Sequence, residues 1–335
     1  MLGIIVRRLL QLPLILLVIY TITLTLAWAI PGNPLEGASE KRPPEAVIAA
    51  MKAQYNLDSY WSFYWSYLGS ATGVQYGADL VSGDMAADRA RAREAGVAPR
   101  PRYIFDLGPS LQYDDWNVNE IIAAALPVSV TLGALAILIA LFTGLTAGVV
   151  GAVKPNSIAD LTTLSVALIG ISLPSFVTGT ILLLLFSVWL PLVPVASWGS
   201  VSAMIMPSIA LSLPFAAYIA RLTRMGMIEV LGADYIRTAR AKGLSERQVL
   251  LKHALKNAFL PVLSFLGPAT ALAMTGSFVV ERVFSVPGIG QHFVNGVQNK
   301  DLFLIMGVVL IFATMLIIFN LVVDVLYRWV DPRIE

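Results

Sequence analysis

Six long apolar stretches, none with Asp, Glu, Lys or Arg at its middle, dominate this sequence. They lie near residues 8–30, 124–153, 160–190, 203–222, 257–280 and 304–327. Each is close to or above the roughly 20 residues that a helix needs to cross the hydrocarbon core of a bilayer. Composition agrees. The chain is 57% hydrophobic and only 13% charged, against about 25% charged in a typical soluble domain. These features imply an all-α integral membrane protein with six transmembrane helices. A net charge of +2 without aromatic–basic interleaving argues against nucleic acid as a partner. The absence of cysteine removes disulfides, thiolate metal sites and cysteine nucleophiles.

Basic residues in short loops set orientation. Arg7 and Arg8 precede the first span, and Lys154 lies between spans two and three. Arg221, Arg224, Arg237, Arg240, Lys242, Arg247, Lys252 and Lys256 surround the connection between spans four and five, and Arg328 and Arg333 follow span six. All fall on one side if both termini are cytoplasmic, whereas the opposite short loops hold Arg282 and Lys300. The expected topology is therefore N-in and C-in. Arg7-Arg8 followed by an apolar run and Ala27-Trp28-Ala29 has the outline of a cleavable signal. Residues 1–30 nevertheless read as a retained first helix, because the run is long and Pro31 lies close to any cut.

Residues 31–120 form a large extracytoplasmic segment, which the charge rule exempts. Within it, Trp61, Phe63, Tyr64, Trp65 and Tyr67 cluster. They read as an interfacial belt or a small loop core in preference to a docking surface for an external partner. Residues 84–102, with Arg89, Arg91 and Arg93 among Ala and Gly and the Pro-rich Pro99-Arg100-Pro101, read as a solvated part of an insertion near 70–105. Residues 121–335 then make a five-helix core. In it Gly144 and Gly148 form a small-xxx-small pattern suited to close helix packing. Pro174, Pro207, Pro214 and Pro268 are expected to bend their helices and line a pathway.

Catalytic signatures are missing. There is no G-x-x-x-x-G-K-[ST], H-E-x-x-H or G-x-S-x-G. The two histidines, His253 and His292, are expected on opposite membrane faces and cannot share a metal. Ionisable groups at membrane depth, common in ion-coupled transporters, are absent too. Asp324 comes nearest and reads as a helix-end charge. Energy for any uphill transport is thus expected from outside the chain.

Residues 229–261 are the informative segment. Asp234 is placed to cap a short helix that begins at Tyr235. Gly243 suits the left-handed position after its end. Ser245 and Gln248 form a capping box for a second helix, with Leu244 and Val249 at the staple positions. The reading is a rigid helix–turn–helix elbow joined to the membrane helices. A plain basic loop accounts for the charge but not for the capping residues.

This segment resembles the cytoplasmic loop of permease subunits of ABC importers, most closely the B-type permease of the oligopeptide/dipeptide/nickel class. The general family pattern is E-A-A, three residues, Gly, nine residues, I-x-L-P. Here Gly243 and Ala239 match, Arg237 and Thr238 replace the Glu and first Ala, and Leu260-Pro261 comes five residues late. The peptide class pattern Y-x-R-T-A-R-A-K-G is matched by Tyr235, Arg237, Thr238, Ala239, Arg240, Ala241, Lys242 and Gly243. H-A-L-x-N-A-x-x-P is matched by His253, Ala254, Leu255, Asn257, Ala258 and Pro261. Arg7-Arg8-Leu9-Leu10, Pro31-Gly32-Asn33-Pro34, Asp106-Leu107-Gly108 with Ser110-Leu111, and Glu281, Val283, Phe284, Pro287, Gly288, Ile289 and Gly290 resemble further family elements. Together they run nearly end to end, the stretch 70–105 excepted.

The resemblance implies the ABC importer permease fold, with the coupling helix near 234–244 docking on an ATPase through Asp234, Tyr235, Arg237, Thr238, Ala239, Arg240, Ala241, Lys242, Gly243, Leu244 and Ser245. It implies half of a translocation pathway for short peptides in a bacterial or archaeal plasma (inner) membrane. A second permease subunit, two ATP-binding subunits carrying ATP and Mg, a solute-binding protein and membrane lipid would be the partners. No cofactor would be bound by this chain, which would not be an enzyme. Glu281, Phe284, Pro287, Gly288 and Gly290 are expected in a surface that docks the binding protein or gates the pathway. Nickel chelates, glutathione or another small solute are alternative cargoes. A secondary transporter is a further alternative, which predicts an inverted repeat and charges at depth that this sequence does not display.

Overall fold

A computed structural model describes residues 2–32, 35, 44–85, 102–113, 115–195 and 197–330. Asn33, Pro34, the arginines of 89–93, Pro99-Arg100-Pro101 and Arg333 lie outside the described residues. Among the described residues the named elements are helical, apart from an isolated antiparallel bridge between Pro109 and Asn117. In chain order they are α1 (Leu2–Ala29), α2 (Glu45–Gln54), α3 (Tyr60–Ala71), α4 (Val74–Ser82), α5 (Val118–Val153), α6 (Ile158–Ser172), α7 (Ser175–Trp189), α8 (Val201–Leu231), α9 (Asp234–Ala241), α10 (Glu246–Ala258), α11 (Leu260–Met274), α12 (Phe278–Phe284), α13 (Ile289–Gln298) and α14 (Leu302–Val330).

Four of these, α1, α5, α8 and α14, are long and apolar enough to cross a membrane. The pairs α6/α7 and α10/α11 give up to two more, but they are bent by 105° and 56°. Two of the expected spans therefore differ from single straight helices. The stretch 160–190 breaks at Pro174, and Leu173 before it adopts an extended ψ of 127°. A proline ring pushes the preceding residue out of the helical region, which accounts for the stop. The stretch 257–280 ends at Met274, and Gly276 at φ +90° separates it from α12. Pro207, Pro214 and Pro268 lie inside single continuous helices.

The described chain forms two compact units. One comprises Met1–Pro13, Ala125–Gln291 and Phe312–Glu335. Its core contains Leu132, Ile219, Val262, Val280 and Phe284. Lipid tails are as apolar as leucine, so burial alone gives membrane helices little reason to associate; close approach and polar links must do it. On α5 a stripe of small residues (Ser129, Gly133, Ala136, Ala140, Gly144, Gly148) recurs every three or four positions. A Cβ at Gly133 would collide with the Ala273 carbonyl of α11. At Gly144 and Gly148 it would lie 2.7 Å from the carbonyl oxygens of Ala216 and Ala220 on α8. The small-xxx-small pattern is thus used for helix packing. Polar links add to it. Arg224 of α8 donates to both oxygens of the buried Asp160 on α6, at 2.5 and 2.7 Å. Arg8 of α1 pairs with Asp324 of α14 at 2.8 Å.

The other unit comprises Leu14–Ala124 and His292–Ile311. Its organising group is Asp301, fully buried at the start of α14. One carboxylate oxygen caps that helix by accepting from the Leu304 N–H at 3.1 Å. The other accepts from the Ser110 hydroxyl at 2.5 Å and the Leu111 N–H at 2.9 Å. The Phe303 ring occupies the space that a Cβ at Gly108 would need. The Asp106–Ser110 element is in this way folded down onto the head of α14. Phe63, Tyr64 and Tyr67 of α3 are buried, whereas Trp61 and Trp65 are each 64% exposed. The aromatic cluster therefore divides into a loop core and an outward face. Part of the 70–105 stretch is ordered helix, and Asp79 of α4 pairs with Arg102 at 2.7 Å.

Candidate coupling site

The elbow begins where α8 ends. Ala233, not Asp234, occupies the N-cap, in extended conformation and without a side-chain cap bond. Asp234 is the first helical residue, where its charge suits the helix N-terminus, and it pairs at 3.5 Å with Arg237. Two turns later α9 closes with a Schellman motif. Gly243 adopts φ +79°. Its N–H donates to the Arg240 carbonyl at 2.9 Å, and the Leu244 N–H donates to the Ala239 carbonyl at 3.4 Å. The capping box follows: the Gln248 N–H donates to Ser245 Oγ at 3.4 Å, and the Ser245 N–H donates to Gln248 Oε1 at 3.3 Å. Leu244 and Val249 complete the staple within one apolar cluster. The Val249–Ala254 stretch of α10 is π-helical, a local register change often found at functional positions.

One face of this elbow is anchored. Ile236 and Ala239, three residues apart on α9, are buried with Val249 and Ala254 of α10, Met227 of α8 and Ala152 of α5. α9 is therefore packed through side chains on three neighbouring helices, α5, α8 and α10. The opposite face presents Tyr235, Arg237, Thr238, Ala241, Lys242 and Ser245. Arg240 is engaged within the chain: its guanidinium donates to both oxygens of Glu246, at 2.8 and 3.2 Å, bridging the turn. That hydrogen bond raises the Arg240 pKa and holds the Glu246 carboxyl below its ordinary value. A depressed carboxylate stabilises the fold above its unfolded-state pKa and loses the contribution as pH falls through the folded-state value. The bridge therefore weakens as pH falls through the folded-state value of Glu246. Of the basic face expected from Arg237, Arg240 and Lys242, all three residues are exposed, and both arginines are paired with acidic residues of the elbow itself.

Two class-pattern residues 22 positions apart explain each other. Asn257 Nδ2 donates to the Tyr235 hydroxyl at 2.8 Å, tying α9 to the end of α10. Tyr235→Phe and Asn257→Ala should each destabilise the elbow by about 0.5–1 kcal/mol. The double variant should be little worse than either, because one bond is lost in all three. Thermal unfolding of the purified protein checks this cycle; strict additivity would deny the link.

The second candidate group lies around α12. Glu281, Phe284, Gly288 and Gly290 are buried, and Pro287 is exposed. Glu281 Oε1 accepts from the Ser129 hydroxyl of α5 at 2.7 Å, and Ser129 Oγ in turn accepts from the Ile289 N–H at 2.9 Å. A Cβ at Gly288 or Gly290 would strike the Glu281 carboxyl group. Gln291 Nε2 donates to the Glu281 and Val286 carbonyls, at 3.1 and 2.8 Å. Burial pushes the Glu281 carboxyl above its ordinary range. These residues form a glycine-walled knot that fixes the turn between α12 and α13. Of the five, Pro287 alone offers surface to a partner in this chain.

The capping logic was readable from residue order. The Asp160–Arg224, Ser129–Glu281 and Tyr235–Asn257 pairs were not, because each joins residues far apart in sequence. The hints were polar residues at the ends of otherwise apolar runs.

A family described as the inner membrane component of binding-protein-dependent transport systems matches residues 140–335. The chain is 40% identical, over all of both chains, to the oligopeptide transport system permease protein OppB of Salmonella typhimurium. It is 38% identical to the dipeptide transport system permease protein DppB of Bacillus subtilis, over 96% of this chain and 94% of that one. A solved chain of the inward-facing MetNI methionine ABC transporter superposes with a TM-score of 0.51 at 17% identity, covering 64% of this chain and 97% of that one. At that identity the likeness concerns the fold.

Proposed function

The chain belongs to the family of inner membrane components of binding-protein-dependent transport systems, and we propose that within it this protein is the permease subunit of an ATP-driven importer of short peptides. It is a multi-pass membrane protein, built on apolar helices long enough to span. Each bent pair counts as one span in this reading, giving six, with both termini and the elbow in the cytoplasm. A second permease would complete the pathway. Two ATP-binding subunits, carrying ATP and Mg, would sit beneath, and a solute-binding protein would deliver peptide from outside. The bacterial relatives support a bacterial inner membrane as its location.

The observation that carries the coupling role is the elbow's construction. Its turn is fixed by the Gly243 motif and the Ser245 box, its inner face is packed on α5, α8 and α10, and its outer face is open. Closure of an ATPase pair against such an element would move membrane helices as bodies. Cross-linking through a cysteine placed at Lys242, followed by gentle purification from native membranes, tests it. Recovery of ATP-binding subunits attached at that position is expected, together with a second permease. A chain recovered alone would end the ATP-coupled reading.

A further inference from the structure

The outward face of α3 has no role in import as described above, yet its composition and position are specific. From Ser59 to Ala78 the chain holds no Asp, Glu, Lys or Arg. Within that stretch α3 reads Tyr-Trp-Ser-Phe-Tyr-Trp-Ser-Tyr from Tyr60. Its inner side lies along the last turns of α1. The Tyr20 hydroxyl donates to the Tyr64 carbonyl at 2.6 Å, Thr21 and Tyr64 hydroxyls meet at 3.0 Å, and Thr25 and Tyr60 hydroxyls meet at 3.0 Å. Tyr20 stacks on Tyr67 with centroids 6.0 Å apart, and Trp28 meets Tyr60 edge-on at 5.9 Å. Successive contacts run up α1 and down α3, so the two helices are antiparallel here.

Two landmarks fix the level of α3. Tyr20 lies nine residues before Ala29, the end of α1, or about 13 Å along the helix axis. Phe63 and Tyr67 also touch Phe303, with centroids 5.2 and 5.7 Å away, and Phe303 is the second residue of α14. One landmark sits inside a spanning helix and the other at the head of one. Both α1 and α14 are apolar enough to span, so α3 lies beside the last turns of one candidate span and the head of another.

We propose that α3 is an interfacial helix, with Trp61 and Trp65 set into the lipid of the leaflet in which α1 ends. The two indoles are one turn apart and equally exposed, at 64% each. The hydroxyls of Tyr60 and Tyr64 are turned inward onto Thr25 and Thr21. The outer face therefore presents amphipathic rings of the kind that favour the membrane interface. The next helix continues the pattern, for Val74 and Val81 of α4 are exposed and its one charge, Asp79, is paired with Arg102. The external segment would thereby be held against the bilayer at a fixed height.

The test uses the intact importer reconstituted in phosphatidylcholine vesicles whose acyl chains carry bromine close to the glycerol end. Wild type is compared with the Trp61→Phe/Trp65→Phe double variant. Trp61 and Trp65 are two of the chain's seven tryptophans. The double variant should lose a matching share of the bromolipid-quenched emission, whether or not binding protein is added. The inference is overturned if that share is quenched by aqueous acrylamide and not by bromolipid. It is equally overturned if the share becomes protected only when binding protein docks, which would make α3 a protein interface. Peptide uptake is read in parallel, so failure of the lipid contact is distinguishable from failure of the permease reading.

Discussion

Gly243→Val should lower peptide import and peptide-stimulated ATP hydrolysis by at least about tenfold, while the protein still reaches the membrane. Gly243 adopts φ +79°, and a Cβ built there meets no atom within 4 Å. The substitution therefore creates no collision, and its whole effect comes from the backbone. A left-handed conformation costs an ordinary residue roughly 1–2 kcal/mol, and a β-branched residue suffers most. Since about 1.4 kcal/mol is a tenfold change in an equilibrium, the closed turn would lose roughly a factor of ten in population relative to its open alternatives. The Leu244→Ala239 and Gly243→Arg240 hydrogen bonds would go with it, releasing Leu244 from the cluster it shares with Val249. Gly243→Asn is the informative companion, because asparagine tolerates this region. It should keep most of the activity. Measured in reconstituted vesicles, a valine variant with wild-type stimulated ATPase would rule out a rigid turn as the coupling device.

That the elbow could be read in advance and the knot around Glu281 could not has a physical cause. Helix ends are local problems. Gly243, Leu244, Ser245 and Gln248 solve theirs within six residues, so order alone reveals the turn. Asp234 shows the limit of the same logic: an acidic residue suits both the cap and the first turn, and only the backbone of Ala233 decides between them. Hydropathy located the four helices long and apolar enough to span, but not the shape of the two bent pairs. Hydropathy is blind to the stop that Pro174 imposes, and equally blind to Pro207, Pro214 and Pro268 remaining inside continuous helices. Polar pairing across the fold was least legible. Glu281 looks like a loop carboxylate until Ser129, 152 residues away, is found beside it. An exposed docking residue and a buried fastening residue have the same letter, and only burial separates them.

Gly148→Leu should prevent accumulation of folded protein, and this follows from the same geometry that lets the elbow work. A Cβ at Gly148 would lie 2.5 Å from the Thr223 Cβ and 2.7 Å from the Ala220 carbonyl oxygen. Backbone cannot step aside by changing rotamer, so α5 and α8 would have to separate. Overpacking in cores costs typically about 1–3 kcal/mol when side chains can yield. A collision with backbone lies at or beyond the top of that range. No compensating gain exists, since an extra leucine is no better hidden in protein than in lipid. The damage would also reach the elbow, because Gly148 lies one turn before Ala152, which packs with Ile236, Ala239 and Met227. Gly232→Ala is the control: its Cβ would meet nothing closer than the Glu229 carbonyl oxygen at 3.4 Å, an ordinary contact. Size-exclusion profiles and thermal midpoints of detergent-extracted protein should show Gly148→Leu aggregated or sharply destabilised, Gly148→Ala intermediate and Gly232→Ala near wild type. A leucine variant with an unchanged midpoint would mean that α5 and α8 do not approach this closely, and a push on α9 would then have no stiff path into the membrane.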